Sequence, residues 1–245
     1  VGKSSIFNAI FNQPGLAKTG AKRDACTSVI IRYSATSPDA TEGFSTCFHF
    51  LRPVTIRDFI DAHAKVYYQR QFSSPEPDEY HNDVESSEVK LLETARKFFS
   101  LVFGEEDEFT QYFTPRTFGD GSFQSLCLEK SLSKLTEIGM DQQTFTKQQF
   151  FRQAEELQTA MEGYMTGVKG KECYWHLVDS IGIKSPFPIL RHNLEFIDSP
   201  GKHVCYVSYC TNTCIGTGEL NQTRMASTNR AKDSADLLCI IGDTD

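Results

Sequence analysis

The chain has a single tryptophan in 245 residues, no apolar run near the ~20 residues a membrane-spanning helix requires, and no charged-then-apolar leader at its start. It also lacks a cationic surplus, since 25 Lys and Arg stand against 32 Asp and Glu, giving a formal net charge of −7. Without spare cations to neutralise phosphates, nucleic acid is a poor candidate for the main partner, although a local basic patch stays open. There is no G-x-S-x-G elbow and no Cys/His catalytic grouping, and His49, His63, His81, His176 and His192 are dispersed without ligand spacing. The eight cysteines are irregularly spaced, so reduced thiols are expected rather than a disulfide framework. What remains is a globular, intracellular protein, cytoplasmic or nuclear. Its 39% hydrophobic content can bury a sizeable core as one large domain or a domain with a big insertion.

Against these absences, the opening residues "VGKSSIFNAIF" read as the second half of a phosphate-binding loop, G-x-x-x-x-G-K-[ST], running into an amphipathic helix. Its first glycine would precede Val1. Gly2 lets backbone N–H groups approach phosphate, Lys3 reaches β- and γ-phosphate oxygens, and the Ser4 hydroxyl can ligate Mg²⁺, with Ser5 next in the helix. Ile6, Phe7, Ile10 and Phe11 form the expected apolar face. Far along the chain, "LRHNLEFIDSPG" is an apolar strand ending in D-x-x-G. There Asp198 can hold a magnesium ion through a water, and the Gly201 N–H can meet a γ-phosphate. By themselves "GKSS" and "DSPG" are a helix start and an ordinary turn; occurring together they point to a nucleoside triphosphate. Between them, Thr27 precedes the β-branched run Val29-Ile30-Ile31, the position of a switch threonine whose hydroxyl joins Mg²⁺.

These residues resemble the dynamin-like large GTPases, most closely a fungal group related to the nuclear germinal-centre GTPase. The segments that carry the resemblance are "VGKSSIFNAI", "ACTSVIIRY", "WHLVDSIGI" and "FIDSPG", with "NRAKDSADLLCIIGD" behind them. The resemblance implies an α/β fold: a P-loop GTPase-type three-layer sheet with a large α-helical insertion between the first switch and the D-x-x-G strand. It implies GTP as substrate and Mg²⁺ as cofactor. Lys3, Thr27 and Gly201 would be catalytic, and Val1, Gly2, Lys3, Ser4, Ser5, Asp198 and Gly201 would bind nucleotide. Ser4, Thr27 and Asp198 would hold the metal, Asp198 through water. A homodimer through the nucleotide face is a further implication. Both ends are expected to be cut, with a catalytic polar residue of the phosphate loop before Val1 and the guanine-reading [NT]-K-x-D beyond Asp245. The choice of GTP over ATP therefore comes from the resemblance. The rival readings are a nucleotide-binding scaffold with little turnover, or a nonfunctional product of a misannotated gene.

The GTPase part is expected at 1–52 and 188–245, with 53–187 a helical insertion. Strands are expected as a hairpin around Thr27–Tyr33 and Phe44–Phe50. Helical spacing then follows in "VTIRDFIDAHAKVYYQRQF", "SSEVKLLETARKFFSLVF", "SFQSLCLEKSLSKLTEIG" and "FTKQQFFRQAEELQTAMEGYM". The aromatic residues Tyr67, Tyr68, Phe72, Phe98 and Phe99 are read as core packing of that helical part, and Trp175 as a core anchor. The acidic run "GEEDEF" is read as a solvated face.

Directly after Gly201 comes a Cys/Tyr/Thr-rich run, Lys202–Gly216, unlike the rest of the chain. Three readings compete. His203, Cys205, Cys210 and Cys214 are zinc-ligand types, though they lack the tight C-x₂-C pair. A surface insertion is the second reading, awkward in a loop that must tighten on phosphate. The third is a translated retained intron: Gly201-Lys202-His203 can be encoded with a donor-like GTAAG, and Cys210–Gly216 with a branch-point-like ACTAAC followed by an acceptor ATAG. Removing 202–216 keeps the frame and yields "DSPGTGELNQTR", which is similar to the family's continuous D-x-P-G-x-G-[DE]-x-N-x-x-R pattern. Sequencing mature transcript across this region is expected to show codons 202–216 absent; a message that retains them refutes the intron.

Overall fold

The computed structural model describes residues 3–14, 16, 29–36, 43–72, 82–104, 108–165, 173–192 and 194–198. The architecture is mixed α/β, with one five-stranded mixed sheet and helices. The chain divides into two compact units: one runs to Phe50 and resumes at Met140, and the other is Leu51–Gly139.

In the first unit, helix α1 (Lys3–Ile10) comes before strands β1 (Ile30–Ala35) and β2 (Phe44–Phe50). The helix stops where the sequence reads Asn-Gln-Pro: Asn12 takes a left-handed φ of 48°, and the Gln13 N–H reaches back to the Asn8 carbonyl at 3.0 Å. Strand β3 (Thr146–Phe151), helix α6 (Ala154–Met165), strand β4 (Val178–Ser185) and strand β5 (Phe196–Asp198) complete the unit. The strand order is β3-β2-β4-β1-β5, with β4 parallel to β1 and every other pairing antiparallel.

β1 and β2 are therefore not a hairpin, contrary to the sequence reading. β4 lies between them, its Ile181 and Ile183 fully buried and its residues pairing with both neighbours. β4 alternates rather than forming an apolar run: Ile181 and Ile183 are buried on one face, while half-buried Gly182 and exposed Lys184 lie on the other, and ladder pairing on both edges holds it at the centre. The expected helical stretch 53–187 is likewise corrected: Thr146–Phe151 is strand, not the start of a helix, and β4 also belongs to the sheet. The apolar positions of "FTKQQFF" suit either period over so few residues, and pairing with β2 decides for strand. Trp175 is buried in the short turn ahead of β4.

The second unit is helical. α2 (Pro53–Phe72) starts with proline at its first position, where no backbone N–H is missed, and buries Ile56, Ile60, His63, Ala64 and Tyr67 along one face. α3 (Asn82–Phe103) answers with Ala95, Phe98, Phe99, Val102 and Phe103. The short α4 (Pro115–Gly119) is held by a capping box between Thr114 and Thr117, and α5 (Ser122–Glu137) buries Phe123, Cys127, Ser131 and Leu135 at four-residue steps. Phe99, Phe109, Phe113 and Phe123 form an aromatic centre, with Phe113 and Phe123 edge-to-face at 4.5 Å. Tyr67 joins it at 4.7 Å from Phe113. Tyr68 and Phe72 lie at the margin, Tyr68 stacked on Phe118 at 4.2 Å and Phe72 exposed. Among the described residues no helix is long and apolar enough to cross a membrane.

His63 is a titratable group buried in this core. Its ring stacks on Phe98 at 4.5 Å, and burial pushes its pKa down to about 4 from an ordinary 6.5. Between those values the unfolded chain binds the extra proton, so the stability is full above pH 6.5 and lost as pH falls towards 4. Urea unfolding is expected to show roughly 2–3 kcal/mol less stability at pH 4.5 than at pH 7.5 from this group. His63→Phe, which keeps a ring on Phe98, is expected to lose that part of the pH dependence; an unchanged slope would remove His63 as its source.

Candidate functional site

The candidate site begins at the first turn of α1, whose leading backbone N–H groups have no partners within the helix and so suit an anion. Lys3 and Ser4 open the helix, and Ser5 is exposed. Val1, Gly2, Thr27 and Gly201 lie outside the described residues, as do the side chains of Lys3 and Ser4. Segment 202–216, with its candidate zinc ligands, lies outside them too. Among the described residues no cluster of three or more His, Cys, Asp or Glu side chains could hold a metal.

Phe7 and Phe11 carry the contact between α1 and the sheet. Phe7 lies 5.6 Å from Tyr33 and 6.3 Å from Phe196, and Phe11 lies 5.1 Å from Tyr33 and 5.5 Å from Phe196. Ile6 and Ile10, expected on the same apolar face, are instead exposed at 41% and 38%. Two phenyl rings four residues apart already cover the strands below, which leaves the isoleucines on the flank.

The same rings fix the direction of the helix. Phe11, at its C-terminal end, stacks on Phe187 at 4.8 Å, and Phe187 lies two residues past the end of β4, where Ser185 pairs with Ala35 at the end of β1. α1 thus runs along β1 in the same sense, and its N-terminus lies towards the beginning of that strand. Val29, two residues after Thr27, is buried just ahead of β1.

β5 brings the acidic residue to that same end. In the antiparallel register Tyr33 faces Phe196 and Ile31 faces Asp198. Directly opposed residues share a sheet face and alternate along the strand, so Ile31, Tyr33, Phe196 and Asp198 all lie on the face that α1 covers. Asp198 is 1% exposed. Arg32 lies on the opposite face and pairs with Glu195 at 2.9 Å, a part-exposed ion pair worth about 0–1 kcal/mol. The start of α1, the approach to β1 and the end of β5 therefore converge at one end of the sheet, although the sequence separates them widely. An oxygen donor set of hydroxyls and one carboxylate, as Ser4, Thr27 and Asp198 would supply, suits a hard cation such as Mg²⁺ better than a soft metal.

Tyr33 is the residue that sequence reasoning missed. It is fully buried, and its hydroxyl has no hydrogen-bond partner among the described residues. Burial, reinforced by the nearby Asp198 charge, pushes the phenol pKa well up, so it stays a protonated donor. Its only sequence signal was period-two alternation with Ile31, which marks a buried strand face without saying what lies beside it.

The chain matches no protein-family model, and no curated protein is significantly similar to it.

Because Phe11 meets Tyr33, Phe187 and Phe196 together, Phe11→Ala is expected to cost about 3–5 kcal/mol in chemical denaturation. Hydrogen exchange should show the amides of α1 losing protection while those of Leu51–Gly139 keep theirs. Equal loss in both units would show that the ring does not act locally on the helix.

Proposed function

We propose that this chain is the nucleotide-binding part of a P-loop GTPase of dynamin type, which binds GTP with Mg²⁺ and hydrolyses it. The observation that carries this reading is the convergence just described. A GKSS helix start, the approach to a strand preceded by Thr27, and the buried Asp198 ending a second strand lie at one end and on one face of a single sheet. An unrelated α/β protein has no need to bring those three stretches together.

On this reading the first-turn N–H groups and the Lys3 ammonium neutralise the β- and γ-phosphates. The hydroxyls of Ser4 and Thr27, and the carboxylate of Asp198 through a water, would hold Mg²⁺, which supplies charge neutralisation across the phosphates when bound. The Gly201 N–H would meet the γ-phosphate. Little covalent chemistry falls to the protein; positioning and charge stabilisation dominate phosphoryl transfer. Ordering of the segments around Thr27 and after Asp198 would report the γ-phosphate. The convergence does not distinguish guanine from adenine; that choice, like the homodimer through the nucleotide face, comes from the resemblance.

The test is GTP binding and single-turnover hydrolysis by the full-length protein, with ATP as competitor and Lys3→Ala as the variant. Mg²⁺-dependent hydrolysis is expected to fall by at least about 10²-fold in Lys3→Ala, the scale seen when one transition-state charge contact is removed. Binding with equal, background turnover in both proteins would favour a nucleotide-binding scaffold. No binding to the wild type would refute the reading.

A further inference from the structure

We propose that Tyr33 is a positioning residue for Asp198: its buried phenol O–H donates to the Asp198 carboxylate when nucleotide and cation engage, and so holds the carboxylate in a single orientation. This rests on the nucleotide-binding reading above.

The hydroxyl is hard to explain by packing alone. The ring of Tyr33 packs against Phe7 and Phe11, at 5.6 and 5.1 Å, and Tyr33 pairs with Phe196 across the strands. A phenylalanine would fill that space as well. Yet a hydroxyl is present, fully buried and with no partner among the described residues, and a buried polar group of that kind is costly and rare. Its nearest charged neighbour by register is Asp198, one diagonal step away on the same sheet face, a separation of about 7–8 Å between backbones that long side chains span. An ionised carboxylate only accepts hydrogen bonds, and a phenol, protonated at neutral pH, has one to donate, so the pair is chemically matched. The ring contacts also restrict the rotation of Tyr33, and a donor fixed in this way transmits the position of α1 to the end of β5. The helix that would carry the phosphate site and the strand that would carry the metal carboxylate are thereby joined through one side chain.

The experiment measures binding of a fluorescent GTP analogue to the full-length protein as a function of Mg²⁺ concentration. The proteins compared are wild type, Tyr33→Phe, Asp198→Ala and the double variant. With EDTA, wild type and Tyr33→Phe are expected to bind alike. With Mg²⁺, Tyr33→Phe is expected to need about tenfold more cation for half-saturation, the scale of one hydrogen bond to a charged group. In the Asp198→Ala background, Tyr33→Phe should add nothing, because its effect passes through Asp198. A Tyr33→Phe titration matching wild type, or a shift that persists without Asp198, overturns the proposal. So does a lowered melting temperature of Tyr33→Phe without nucleotide, which would make the hydroxyl structural. A wild type that binds no nucleotide overturns the underlying reading and this proposal with it, and is told apart because no wild-type signal exists to compare.

Discussion

The side chain of Tyr33 has no exposed surface, and its ring is where α1, β1 and β5 meet: Phe7 and Phe11 from the helix, Phe196 from the neighbouring strand. Packing of four aromatic rings, Phe11 and Tyr33 buried and Phe7 and Phe196 half-buried, is the strongest local driving force available to an eight-residue helix, which is too short to persist alone in water. The direction of the helix, the end of the sheet to which its N-terminus points, and the face on which Asp198 is buried all follow from that packing. The proposed phosphate site at the helix start would be of use only if the helix were aimed, and hydrophobic contact sets its direction.

A second constraint is the central position of β4. It pairs with β1 and β2, so the sheet is complete only once residues 178–185 have returned from beyond the whole Leu51–Gly139 unit. The helical unit has the opposite character, since its aromatic centre is assembled from stretches close in sequence, Tyr67 to Phe123. Local contacts form quickly and long-range strand pairings slowly, so the unit carrying the candidate site is the one whose assembly waits on distant parts of the chain.

Much of the candidate site was legible in residue types. Lys3 after glycine, and Asp198 at the end of an apolar strand before Pro-Gly, are chemistry-bearing letters in recognisable surroundings, and both fall where a helix begins and a strand ends. Phe98 and Phe99 were legible as core because three- and four-residue spacing is the signature of a buried helical face. The inward turn of Phe7 and Phe11, with Ile6 and Ile10 left outside, was not legible. A helix presents a broad apolar arc, and only the strands beneath choose which part of it is covered. "FTKQQFF" misled for a similar reason, because seven residues fit two periods equally well until β2 supplies a partner.

By itself the sequence determined the three long helices of the Leu51–Gly139 unit, α2, α3 and α5, and the helical start at Lys3–Ser4. Each of these depends on neighbours a few positions away. Only the tertiary structure decided that β4 separates β1 from β2, that α1 runs along β1 towards Phe187, and that Tyr33 shares a face with Asp198. Strand order and register are set by hydrogen bonds and buried area between segments about a hundred or more residues apart, and no local pattern in either segment specifies its partner.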